Sequence, residues 1–150
     1  MCNLYSITTP PDAIRRLFRV SDDRTGNAEP RPAVFPDGLA PVVRAGAEAG
    51  GRTLSLLRWG FPSPPNVPGN RPVTNIRNPS SAFWRPWLKT AQRCLVPASS
   101  FCEYLPGKPA VPHWFALGND RPPFAFAGLW RPWSGTRGRQ EGEHELFAFL

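Results

Sequence analysis

The chain has 150 residues, 41% of them hydrophobic, enough apolar side chain for one ordinary core and a single domain. Its 20 Pro and 13 Gly stay below the share of about 25 to 30% that marks disorder, and 6 Trp and 10 Phe supply packing material, so a folded, loop-rich protein is expected. The net charge of +7 fits a polyanionic partner; apart from Lys89 and Lys108 the basic residues are Arg, whose planar fork grips phosphate and stacks on bases, although an Arg-biased genome leaves the same composition.

Along the chain, Thr8 or Thr9 is placed to cap a helix with Pro10 or Pro11 in its first turn and Asp12 near its positive end. Ile14, Leu17 and Phe18 then form one apolar stripe, with Arg15, Arg16 and Arg19 on or beside the wet face. Residues 21–32 carry turn formers without periodicity and read as a loop. Short extended segments are expected at 33–35 and 41–44, followed by a Gly/Ala turn over 46–51. Leu54, Leu56 and Arg58 alternate with Ser55, Leu57 and Trp59, which predicts a strand with both faces partly buried. Residues 62–72 hold too much proline for a helix or a central strand.

Ser80 or Ser81 can open a short helix through Trp87 and Leu88, bent or broken near Pro86. Strands are expected around RCLVPA, SFCEY, HWFAL, FAFAGLW and ELFAFL, separated by Pro- and Gly-containing turns. Residues 1–150 show no internal repeat and no linker. The class is α+β, mostly β, with a curved antiparallel sheet or barrel-like core and a few short helices. The last four residues, Phe147 to Leu150, stand inside an apolar strand pattern, so a domain cut short on its C-terminal side is expected.

Cys2, Cys94 and Cys102 are odd in number and include no CxxC pair, which argues against a disulfide framework and against a zinc site. The N-terminal residues contain no continuous apolar run, so neither a signal peptide nor a membrane segment is expected and the cytoplasm is the expected compartment. Cys94 lies in an apolar strand pattern and reads as a small buried hydrophobe. No metal or other cofactor is implied.

Cys2 is the most informative position. Removal of Met1 would leave an α-amine and a thiol on one carbon framework, titrating near 7.7 to 8.0 and about 8.5. Such an aminothiol closes on an aldehyde to a five-membered thiazolidine. The ring-opened sugar of an abasic site is such an aldehyde, carried on a phosphate chain that an Arg-rich surface attracts. The bland alternative is an ordinary N-terminal residue.

Four further segments stand in order behind the Met1-Cys2-Asn3 start: Trp59-Gly60-Phe61-Pro62, Thr74-Asn75-Ile76-Arg77-Asn78, the run Arg93 to Tyr104, and Ala127-Gly128-Leu129-Trp130. Together they resemble the SOS-response-associated peptidase family of abasic-site proteins over residues 1 to about 149. The resemblance implies that Cys2 joins covalently to the abasic sugar in single-stranded DNA after the protein removes its own Met1. It makes Asn75 the residue that holds the N-terminal residue and the sugar, Arg77 the grip on a neighbouring phosphate, and Glu103 the acid/base group. A partly desolvated carboxyl at Glu103 suits the proton transfers of ring opening and imine formation. A surface carboxylate, a turn at Asn75 and a surface charge at Arg77 are the plain alternatives.

Trp59 and Phe61 read as a base-stacking wedge around Gly60, with Trp59 in the core and only Phe61 exposed as the alternative. Arg85, beside Trp84 and Trp87, is a further phosphate candidate. The family's His in a His-x-Arg-Met-Pro segment has no counterpart, because His113 and His144 lack that context. Asn3 and Leu4 stand where many relatives carry Gly-Arg. Other readings are a noncatalytic single-stranded DNA-binding fragment, whose binding would survive Cys2→Ser, and a general cysteine peptidase, whose turnover of unrelated peptides would ignore Asn75 and Arg77. An inert fragment would melt without cooperativity.

Overall fold

A computed structural model describes residues 2–64 and 71–150. Five strands close a barrel: β4 (Leu39–Ala45), β5 (Arg52–Trp59), β6 (Arg93–Ala98), β9 (Phe124–Arg137) and β10 (Gln140–Phe149), in the order β10-β9-β6-β4-β5. Neighbours are antiparallel except at the seam, where β10 meets β5 in parallel through the Leu146–Arg58 and Phe147–Trp59 pairs. The two-residue β2 (Asp22–Asp23) lies beside the start of β5. Against the barrel lies an antiparallel sheet in the order β3-β1-β7-β8, from β3 (Arg31–Val34), β1 (Leu4–Ile7), β7 (Ser100–Leu105) and β8 (Val111–Phe115). The expected mostly β, curved and barrel-like architecture is the one found.

The chain crosses from barrel to sheet at Ser99, between β6 and β7, and this crossing explains the N-terminal turn. The Ser99 hydroxyl meets the backbone N–H of Thr8 at 3.0 Å and the hydroxyls of Thr8 and Thr9 at 3.3 Å. Neither threonine therefore caps the helix. Helix α1 runs Pro11–Leu17 with Pro10 as its N-cap, whose carbonyl takes the N–H groups of Ala13 and Ile14. Only Ile14 and Phe18 of the expected stripe are buried, while Leu17 is 52% exposed. The helix stops after Leu17, and Arg19, at φ 50°, turns the chain away.

Tyr5, Trp59, Phe147 and Phe149 form the centre of the main core, at the junction of β1 with the barrel seam, and half-buried Phe126 packs against them. Trp59 stacks on Phe149 at 5.1 Å and receives Tyr5 edge-on at 5.1 Å. A smaller core holds Phe61, Ile76, Trp84, Leu129, Leu146 and Ala148. The segment over it contains 3-10 turns at Arg85–Trp87 and Thr90–Gln92 rather than the expected helix, because Pro86 supplies no N–H for a longer one.

Strand β9 continues past Trp130, where the apolar pattern ends, through Pro132 to Arg137. Its pairing with β6 stops at Leu129, so Pro132 lies where only β10 pairs with the strand, and its missing N–H is tolerated there. Gly138 and Arg139 close the β9–β10 hairpin, and Gly138, at φ 57°, takes the left-handed first position of such a two-residue turn.

Candidate active site

Strand β1 is an inner strand of its sheet, paired with β3 on one side and β7 on the other, and it holds the N-terminal residues against the barrel. Cys2, just before it, is only 6% exposed. The end of β10 draws in a second segment. Phe149 bridges Asn75 in parallel, with Ile76 N–H donating to Phe149 O at 2.8 Å and Phe149 N–H donating to Thr74 O at 3.2 Å. These bonds aim the Asn75 side chain at the N-terminus, where Nδ2 donates to the carbonyl of Cys2 at 2.9 Å and to Thr74 Oγ1 at 2.8 Å.

The Cys2 thiol donates to the Leu4 carbonyl at 3.1 Å. Burial pushes its pKa up, and the negative charge of Glu103 adds to the rise; backbone hydrogen bonding at Leu4 and Cys102 and the N-terminal amine offset part of it. Glu103 is half-buried on β7, one position beyond the Leu4–Cys102 pair. Cys2, Asn75 and Glu103 thus converge although they lie far apart in sequence. The arrangement brings together a thiol, an amide held on the Cys2 carbonyl and a carboxylate, groups of the kind that nucleophilic and proton-transfer chemistry uses.

A groove of about 450 Å³ opens at Thr74, lined also by Asn3, Phe35, Arg71 and Tyr104 among others; Cys2, Asn75 and Glu103 are chain neighbours of its lining residues and do not themselves line it. Phe35 is 58% and Tyr104 54% exposed, so both rings offer faces for stacking, and Arg71 contributes a cation. The sequence gives no periodic signal for them: an exposed aromatic in a turn or at a strand end is distinguished only by its neighbours in space.

Other candidates fall elsewhere. Trp59 and Phe61 are fully buried, so the expected stacking wedge is not built from them. Trp59 ends β5 pointing into the barrel, and Phe61 lies under Trp84 at 5.2 Å. Arg77 is exposed on the segment that carries Asn75. Arg85 is exposed on the covering segment of the smaller core, its Nε donating to Ser80 O at 3.3 Å. The cation over Trp87 is Arg131, 4.0 Å from the ring centre. Cys94 is buried, as its apolar strand predicts, and its pKa is pushed up to about 12. His113 occupies the β8 position paired with Glu103, and His144 stacks on Trp133 in the β9–β10 hairpin.

A barrel flanked by a sheet, with an N-terminal cysteine held at their junction, defines the class of protein. The sequence model of the SOS response associated peptidase (SRAP) family matches residues 1–149, and the chain belongs to that family. Among characterised relatives it is similar to abasic site processing protein YoaM of Bacillus subtilis (strain 168), with 29% identity over 149 residues that take in 92% of this chain. The match spans 63% of that relative's length. In fold it resembles the crystal structure of a Bordetella bronchiseptica protein, at TM-score 0.68 and 21% identity, covering 98% of this chain and 70% of that one. A Bacteroides thetaiotaomicron protein gives TM-score 0.68 at 20% identity, covering 98% and 66% of the two chains. Among the described residues, no helix is long and apolar enough to cross a membrane.

Proposed function

We propose that this protein captures abasic sites in single-stranded DNA as a covalent adduct on Cys2, after hydrolysing its own Met1–Cys2 peptide bond, and that it does so in the cytoplasm in response to DNA damage. The observation that carries the reading is the 2.9 Å hydrogen bond from Asn75 to the Cys2 carbonyl, which anchors the N-terminal residue by the one polar group its chemistry leaves unused. The freed α-amine adds to the sugar aldehyde and loses water to give an imine. The Cys2 sulfur then bonds to the imine carbon while the thiol proton passes to nitrogen, closing a thiazolidine.

Glu103 serves the proton transfers, its charge being close enough to Cys2 to raise the thiol's pKa. Arg77 and the groove with Phe35, Arg71 and Tyr104 hold the flanking phosphates and bases. Family membership and the similarity to an abasic site processing protein of Bacillus subtilis support abasic sites as the substrate.

The test mixes purified protein with a single-stranded oligonucleotide carrying one abasic site, beside Cys2→Ser protein and intact DNA. A slow band on a denaturing gel that requires both Cys2 and the abasic site is expected. Folded protein that has lost Met1, as shown by mass, yet gives no band would overturn covalent capture.

A further inference from the structure

We infer that Thr74 is a positioning residue for Asn75, an assignment that rests on the capture reading above. The Asn75 amide has two N–H donors and both are committed, one to the Cys2 carbonyl at 2.9 Å and one to Thr74 Oγ1 at 2.8 Å. The Cys2 carbonyl can only accept, so it selects the nitrogen end of the amide. The Thr74 hydroxyl supplies the second anchor that fixes the amide plane.

Thr74 can do this because it is itself held. It is 6% exposed, and its carbonyl receives the indole N–H of Trp59 and the backbone N–H of Phe149, each at 3.2 Å. Trp59 thus tethers, from inside the barrel, the residue that orients Asn75. Without the hydroxyl, one Asn75 N–H loses its partner, the side chain gains rotational freedom, and the N-terminal residue is less well held when its amine attacks.

The test measures adduct formation in single turnover, with excess full-length protein and a single-stranded oligonucleotide bearing one abasic site. Thr74→Val, which keeps the shape and removes the hydroxyl, should slow the reaction roughly 3- to 10-fold, while Thr74→Ser should stay within about twofold of wild type. In an Asn75→Ala background, Thr74→Val should slow it no further, because both act through one contact. A DNA-free measurement compares wild type with Thr74→Val: the Asn75 side-chain amide protons should exchange with solvent more slowly in wild type than in the variant in nuclear magnetic resonance spectra, with exposed Asn78 as internal reference.

Wild-type reaction rates in Thr74→Val, additive losses with Asn75→Ala, failure of Thr74→Ser to restore the rate, or equal Asn75 exchange in wild type and Thr74→Val would each overturn the assignment. Absence of any wild-type adduct would instead sink the capture reading, and the exchange measurement would still decide the role of Thr74.

Discussion

Replacing Trp59 with Phe separates a core tryptophan from a DNA-stacking one. The indole is fully buried, stacked on Phe149 and Phe147, and its N–H reaches Thr74 O at 3.2 Å. Phenylalanine keeps an aromatic face but loses that hydrogen bond, worth about 0.5 to 1.5 kcal/mol net. The cost falls near the lower end because Phe149 N–H still satisfies the Thr74 carbonyl. The smaller ring also gives up the burial of two carbons, at about 0.8 kcal/mol each. The total is about 2 kcal/mol, or a fall in melting temperature of roughly 4 to 8 °C for a chain of this size. Thermal melts followed by circular dichroism, with binding to intact single-stranded DNA measured well below the transition, provide the assay. The expected result is a lowered midpoint with unchanged DNA affinity. A midpoint within about a degree of wild type, together with lost affinity, would refute the burial argument and restore Trp59 as a surface wedge.

Glu103→Gln should act in opposite directions on two reactions of one thiol. Removing the negative charge lowers the raised pKa of Cys2, so at pH 8 more thiolate is present and iodoacetamide labels it faster, while abasic-site capture slows for want of the proton-transfer group; unchanged labelling would show that Glu103 does not act on Cys2. Cys94, buried with its pKa near 12, should resist labelling at pH 8 until the protein is unfolded, as peptide mass analysis would show. Because its folded-state pKa lies above the ordinary thiol value, its stabilising contribution is complete below about pH 8.5 and is lost as pH climbs toward 12, at up to about 1.4 kcal/mol per unit; urea titrations should show a shallower alkaline decline in Cys94→Ala. Gly128→Ala should cost about 1 to 3 kcal/mol by overpacking, since a Cβ there would lie 2.9 Å from both Ala148 O and Cys94 Sγ, and denaturant midpoints would reveal it.

Strands in the C-terminal half were legible because their apolar runs are bounded by Pro and Gly, and the class followed from them. The seam was not, because the parallel pairing of Phe147 with Trp59 joins residues 88 positions apart and leaves no mark in either local pattern. The same pairing explains why the Trp59 and Phe61 wedge failed: an aromatic on each side of a glycine is also what a strand end needs when it is covered from two directions. Thr8 and Thr9 were misread as helix caps because Ser99, their partner, becomes a neighbour only after β7 pairs with β1. Position and chemistry singled out Cys2, and ordered motifs singled out Asn75 and Glu103; their approach to one another, through the Asn75–Cys2 hydrogen bond and the charge of Glu103 on the thiol, is visible only in the fold. Phe35 and Tyr104 depended on a groove that only the folded chain makes.

The seam therefore matters to chemistry as well as to stability. Phe147 O accepts from Gly60 N–H at 2.7 Å, and Phe149 pairs with both sides of Asn75, so these two residues of β10 close the barrel and bring the Asn75 amide to Cys2. Cys2 reaches the same point from the opposite direction, carried by β1 through its pairing with β7. Neither segment can form the site before the barrel closes, because the contacts between them span 73 residues and must overcome the entropy of closing that loop. Asn75 is consequently poised against Cys2 only in the folded protein. An unfolded or partly folded chain retains a reactive thiol but lacks the anchored geometry that we propose for selective capture.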